Sequence, residues 1–164
     1  MIGSVEPNLH RYFATLWYVS VTCAEELCYR AFRKKLLMLV GTGIDIVEIE
    51  RVAHSIARYG DRFLEKIFTP EEIMYCQRKK NFAESFAARF AAKEAGAKAL
   101  GTGIQHGVTW KELEVLRQPG HRPTLHLTGR ALEFAKRLGV AHVSLSISHT
   151  ATLAMASVQL ENGQ

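Results

Sequence analysis

Cysteine is scarce in this chain, and the three residues present, Cys23, Cys28 and Cys76, form an odd set. Their spacing matches neither a zinc site nor a disulfide framework, so the expectation is reduced thiols in a cytoplasmic protein. No apolar run reaches the roughly 18 residues of a membrane span. There is no internal repeat and no low-complexity segment, so neither a repeat array nor a biased tract organises the chain. Lysines and arginines are not interleaved with aromatics, which counts against a nucleic-acid module. The N-terminal "FATLWYVSVTCA" has the apolar character of a signal peptide. However, Glu6 and little positive charge precede it and Glu25 and Glu26 follow, so secretion is not expected.

What is present suffices for one domain. At 164 residues and 48% hydrophobic, the chain can bury a substantial core without disulfides or metal. Its 21 Lys and Arg against 16 Asp and Glu give a net charge of +5, favouring acidic partners or phosphorylated ligands. Regular patterning begins only near Met38, in "MLVGTGIDIVEIERV". Residues 38–164 are therefore read as the domain. Residues 1–37 are read as an extension, either preceding a functional start at Met38 or docking on the domain through Leu16, Trp17 and Tyr18.

From Met38 the pattern predicts a strand with Val40, Ile44 and Ile46 inward and Gly41, Gly43, Asp45 and Val47 on the other face. A helix over 48–62 follows, with Ile49, Val52, Ala53 and Ile56 at core spacing. Arg51, Arg58 and Arg62 form a basic stripe on it, which is a solvated face unless a partner is acidic. "TPEE" supplies an N-cap at Thr69, a first-turn Pro70 and a capping-box Glu72. Another helix ends at Gly101-Thr102-Gly103. A hairpin turns at Pro119-Gly120, with Leu113 and Val115 facing Leu125 and Leu127. Thr128 is predicted to cap a short helix through Leu132, Ala135 and Leu138, which Gly139 stops. Strands carrying Val143, Leu145 and Ile147 and then Val158 complete an α+β chain.

One residue breaks the pattern. Phe86 and Phe90 lie eight and four positions before Glu94, on the same helical face. An ionised carboxylate there costs several kcal/mol unless a cation compensates it. Lys98, four residues on, offers a surface pair worth only about 0.3–0.5 kcal/mol. A divalent metal shared with Asp45 compensates more fully, because Mg²⁺ is typically held by one or two carboxylates together with waters and phosphates. A buried ion pair or a partly exposed face remain alternatives.

Taken together, "GTGIDIVEIERV", "RFAAKEAGAKALGTG", "RPTLHLTG" and "VSLSISHT" resemble the short, trimeric type of 4'-phosphopantetheinyl transferase, the holo-[acyl-carrier-protein] synthases. The likeness runs in unbroken order from Met38 to about Leu160, and its G-x-D and F-[AS]-x-K-E motifs are specific. The resemblance implies a transferase-like α+β fold, a small antiparallel sheet packed with helices. It implies Mg²⁺-dependent transfer, with Mn²⁺ a possible substitute, of phosphopantetheine from coenzyme A to a serine of apo acyl carrier protein. Adenosine 3',5'-bisphosphate is released, and the product serves fatty acid biosynthesis.

By the same resemblance Asp45 and Glu94 fall on the metal-binding carboxylates. Lys93 or Glu94 is a candidate to take the serine proton, with a metal-bound water as the alternative. Lys80, Arg89, Lys98, Gly101, Gly103, Pro123 and His149 fall on positions near coenzyme A. The glycines also read as a helix stop, Lys80 and Arg89 as solvated charges, and His149 as a turn residue held by hydroxyls. Arg51, Arg58 and Arg62, with Phe63 or Ile56 as an apolar anchor, become docking residues for an acidic carrier protein. Trimers with active sites between subunits are implied as well. A nucleic-acid module and a non-catalytic binding homologue are the rival classes; the second loses ground because both carboxylates and both lysines are present.

Overall fold

The computed structural model describes residues 38–104 and 107–163; the expectations for residues 1–37, including Cys23 and Cys28, lie outside the described residues. Along the chain come β1 (Met38–Glu48), α1 (Ile49–Tyr59), α2 (Asp61–Ile67), α3 (Pro70–Gln77) and α4 (Phe82–Ala99). A 3₁₀ turn (Trp110–Glu112), β2 (Leu113–Leu116), β3 (Thr124–Leu127), α5 (Gly129–Arg137), β4 (Val140–His149) and β5 (Leu153–Asn162) follow. The expected α+β fold is present. An antiparallel sheet in the order β1-β5-β4 lies beside a separate β2-β3 hairpin.

Helix α4 is the centre of this arrangement, and small residues make that possible. Ala87, Ala91, Ala92, Ala95 and Ala97 are fully buried along it. Against β1 the approach is so close that a Cβ at Gly41 would collide with the carbonyl of Ala99, and one at Gly43 with that of Ala95. This reverses the face assignment expected for β1. Its Gly43, Asp45 and Val47 side packs towards α4, while Ile44 and Ile46 are each 57% exposed. Hydrophobicity alone favoured the isoleucines for the core, but only a side-chain-free strip admits a helix backbone at this distance.

Several local readings hold. Thr69 and Glu72 form a reciprocal capping box at the start of α3, with Pro70 in the first turn. Helix α4 stops at Leu100, and Gly101 and Gly103 take positive φ. In the hairpin Leu113 pairs with Leu127 and Val115 with Leu125, all four buried.

Others change. The helix expected over 48–62 breaks at Gly60, which adopts φ 55° while its N–H bonds Ile56 O. Arg51 and Arg58 therefore lie on α1 and Arg62 on α2, all exposed. The Thr128 side chain makes no cap bond to α5; Glu112 supplies one, its Oε1 accepting from Arg130 N at 3.0 Å. On α5 the buried residues are Ala131 and Ala135, whereas Leu132 and Leu138 face solvent. Cys76 is free and buried.

Candidate active site

A cleft of about 370 Å³ opens where β1, α1, α2 and α4 meet, and Asp45, Arg51, Ser55, Phe63, Phe90, Glu94 and Lys98 line it. The two carboxylates come from different elements. Asp45 is on the inward face of β1, and Glu94 lies two turns beyond Phe86 on α4. The question raised by Glu94's apolar face has a specific answer, since Phe86 packs away on Phe68 at 4.9 Å between ring centroids. Glu94 itself is half-buried, and its Oε1 accepts from the indole Nε1 of Trp110 at 2.7 Å.

Lys98 does not pair with Glu94. Its Nζ donates to Asp45 Oδ1 at 2.7 Å and to Ile44 O at 3.0 Å, bridging α4 to β1. An ammonium has three donors, so one remains for a ligand. The side chain is half-exposed at the cleft mouth.

Lys93 is elsewhere. It is fully buried, and its three donors go to Glu72 Oε2 at 2.7 Å, Trp110 O at 2.9 Å and Leu113 O at 3.0 Å. Burial pulls its ammonium below the ordinary lysine range, with the Glu72 charge opposing. It does not line the cleft. The expectation that Lys93 takes a proton from a substrate finds no support in this geometry, where all three of its donors are engaged.

The remaining predicted positions sit in two groups. At the N-terminal end of α4, Lys80 lines a pocket with Asn81, Phe82 and Glu84, and His149 Nε2 lies 3.3 Å from Glu84 Oε1. Glu84 also lines a wider, basic hollow of about 730 Å³ with Tyr75, Arg78, Lys79 and Arg117. Arg89 is buried with its guanidinium 4.1 Å from the centroid of the Tyr75 ring. Pro123 immediately precedes β3 and is half-buried. At the C-terminal end are Lys98, Gly101 and Gly103. An 18-residue helix separates the two ends by roughly 27 Å along its axis.

Sequence reasoning missed Trp110 against Glu94, Glu72 as the buried partner of Lys93, and Ser55 in the cleft. The T-x-x-E spacing that revealed the cap at Thr69 recurs at Thr109–Glu112, where it starts the 3₁₀ turn carrying Trp110. Reading the surrounding stretch only as a hairpin concealed it.

Among the described residues no cluster of three or more His, Cys, Asp or Glu side chains is placed to hold a metal. Two carboxylates in one cleft are nonetheless a suitable hard-oxygen set for a divalent cation that keeps waters and phosphates as its other ligands.

The model of the 4'-phosphopantetheinyl transferase superfamily matches residues 41–156, and the chain belongs to that superfamily. Within it, the chain is similar to the holo-[acyl-carrier-protein] synthases. That of Koribacter versatilis is 58% identical over 125 residues, covering 76% of this chain and 100% of that protein. The crystal structure of the Neisseria meningitidis holo-[acyl-carrier-protein] synthase matches with a TM-score of 0.69 at 34% identity, covering 76% of this chain and 100% of that one. That of Helicobacter pylori, solved in complex with coenzyme A, matches with a TM-score of 0.64 at 34% identity over 73% and 98% of the two chains.

Proposed function

We propose that this protein is a holo-[acyl-carrier-protein] synthase, transferring 4'-phosphopantetheine from coenzyme A to a serine of apo acyl carrier protein. The observation that carries the site assignment is that Asp45, Glu94 and Lys98, from two elements 49 to 53 residues apart in sequence, line one cleft. In the reaction the serine oxygen bonds to the phosphorus that carries the pantetheine. The bond from that phosphorus to the bridging oxygen breaks, and adenosine 3',5'-bisphosphate leaves.

Asp45 and Glu94 would hold Mg²⁺, with Mn²⁺ a substitute; when bound, a divalent cation supplies charge neutralisation at the pyrophosphate. Lys98, anchored by Asp45, directs its remaining N–H to a phosphate oxygen of the leaving nucleotide. With Lys93 enclosed, Glu94 is the cleft residue we assign to accept the serine proton. Arg51 and Phe63 at the cleft, with Arg58 and Arg62 on the adjoining surface, would dock the acidic carrier.

A trimer fits two features. Lys80 and His149 on one side and Gly101 and Gly103 on the other lie at opposite ends of α4, too far apart for one compact phosphate group. A site between subunits would bring one chain's end to its neighbour's. The outward face of the sheet supplies apolar surface for such contact: Ile44, Ile46, Leu153 and Met155 are exposed on β1 and β5. No helix among the described residues is long and apolar enough to cross a membrane. We place the reaction in the cytoplasm, in service of fatty acid synthesis, with residues 38–164 as the transferase domain and 1–37 as an extension.

The test is to incubate the protein with apo acyl carrier protein, coenzyme A and Mg²⁺ and to weigh the carrier by mass spectrometry. The expected result is one phosphopantetheine added, dependent on the cation; an unmodified carrier rejects the function.

A further inference from the structure

The assignment of Glu94 as a metal ligand raises the question of what aims its carboxylate. Lys98, one turn on, is engaged by Asp45 and Ile44. The hydrogen bond recorded for the Glu94 side chain comes from outside its own helix, from Trp110 Nε1 to Oε1 at 2.7 Å. An indole is donor only, so this contact selects an acceptor and is strengthened when that acceptor is ionised.

The indole is in turn fixed on three sides. Its ring stacks on Phe90, with centroids 6.3 Å apart and planes 28° from parallel, and Phe90 also lines the cleft. The Trp110 backbone carbonyl accepts from Lys93 Nζ, which is held by Glu72 and Leu113 O. Its backbone begins a 3₁₀ turn closed by Thr109 N donating to Glu112 Oε2 at 2.8 Å. A packing role would require the ring alone. Here the one polar atom of the ring meets the one carboxylate oxygen through which Glu94 is restrained.

We propose that Trp110 is a positioning residue for the metal site: its N–H holds Glu94 Oε1 and so keeps the second oxygen available to the cleft. The buried Glu72–Lys93 pair then acts on the site at one remove, by fixing the Trp110 backbone. This inference rests on the reading of Asp45 and Glu94 as metal ligands. Carboxylates that ligate metals are themselves oriented by outer hydrogen bonds, and removing such a partner typically costs 10–100-fold in metal affinity or activity.

The test compares the full-length wild type, Trp110→Phe and Glu94→Gln for Mn²⁺ binding with coenzyme A present. Free Mn²⁺ is read by electron paramagnetic resonance against a coenzyme A blank. Trp110→Phe keeps the stacking ring and deletes the donor. It is expected to weaken Mn²⁺ binding about 10-fold and to raise the Mg²⁺ needed for half-maximal transfer by a similar factor. The turnover rate at saturating Mg²⁺ should stay within about 3-fold of wild type, a split that loosened packing would not produce.

A second readout needs no Trp110 variant: in wild type the Trp110 indole N–H resonance, assigned with Trp17→Phe, should shift on Mg²⁺ titration and should not shift in Glu94→Gln. If Glu94→Gln loses Mn²⁺ while Trp110→Phe binds within two-fold of wild type, or if the resonance stays fixed, positioning by Trp110 is overturned and the metal pair stands. If Glu94→Gln binds Mn²⁺ as wild type does, the metal assignment fails and this inference with it.

Discussion

Helix α4 carries two lysine–carboxylate pairs that match in distance and differ in everything else. Lys93 meets Glu72 at 2.7 Å with side chains 0% and 1% exposed; Lys98 meets Asp45 at 2.7 Å with side chains 51% and 16% exposed. The first pair ties the start of α3, the 3₁₀ turn and β2 to α4, since Glu72 also accepts from Thr69 N and from Val115 N. The second stands in the cleft with one donor to spare. The lesson is that an ion pair's role follows from its surroundings: enclosure on all sides makes it structural, and an open side makes it available to a ligand.

The largest effect should come from breaking the enclosed pair. Lys93→Met leaves Glu72 charged, buried and short of a partner, and should lower the unfolding free energy by about 3–5 kcal/mol, read from urea midpoints. The double variant Glu72→Gln with Lys93→Met should recover part of that loss, because no bare charge remains. Lys98→Met, by contrast, should change stability by less than about 1 kcal/mol. Equal losses from both lysines would erase the distinction between the two sites.

Next in size is the chemistry of the open pair's neighbourhood. Asp45→Asn and Glu94→Gln preserve shape and should each lower transfer by about 10²–10³-fold, corresponding to several kcal/mol of transition-state stabilisation, with urea midpoints near wild type. Glu72→Gln should give the opposite signature, a lower midpoint with much of the specific activity of the folded fraction retained. Transfer that survives in both cleft variants would remove Asp45 and Glu94 from the metal site.

The same pair of sites marks what could be read from the sequence. The Thr69 cap, the hairpin register, the glycine stop and the meeting of Asp45 with Glu94 follow from local spacing and from motifs. The fate of Lys93 does not. "AAKEA" places Lys93 beside Glu94, yet adjacent helical residues diverge by about 100°, and only the packing of α3 and the hairpin decides that one is walled in. The outward turn of Ile44 and Ile46 was hidden for a similar reason. Their exposure follows from the distance between β1 and α4, which is set by glycines whose absent side chains give no hydrophobic signal. Trp110 was equally silent, since its contact with Glu94 joins residues on two elements and no periodicity reports it.

The smallest effect should lie at the rim of the cleft, where the charges are exposed and serve encounter more than chemistry. Arg51 lines the cleft, Arg58 lies on α1 with its guanidinium 5.1 Å from the centroid of the Tyr59 ring, and Arg62 is on α2 beyond the break at Gly60. None of the three is in a recorded ion pair among the described residues, so their charge is available to a partner. Arg51→Glu or Arg62→Glu should raise the KM for the carrier protein several-fold while leaving that for coenzyme A nearly unchanged, because a rim charge mainly accelerates association. Salt should reproduce the effect in wild type and blunt it in the variants, since such attraction is screened over about 8 Å at physiological ionic strength. Steady-state kinetics at two ionic strengths would decide the matter. Equal changes in both KM values would mean that the arginines shape the nucleotide site and that the carrier approaches from another face.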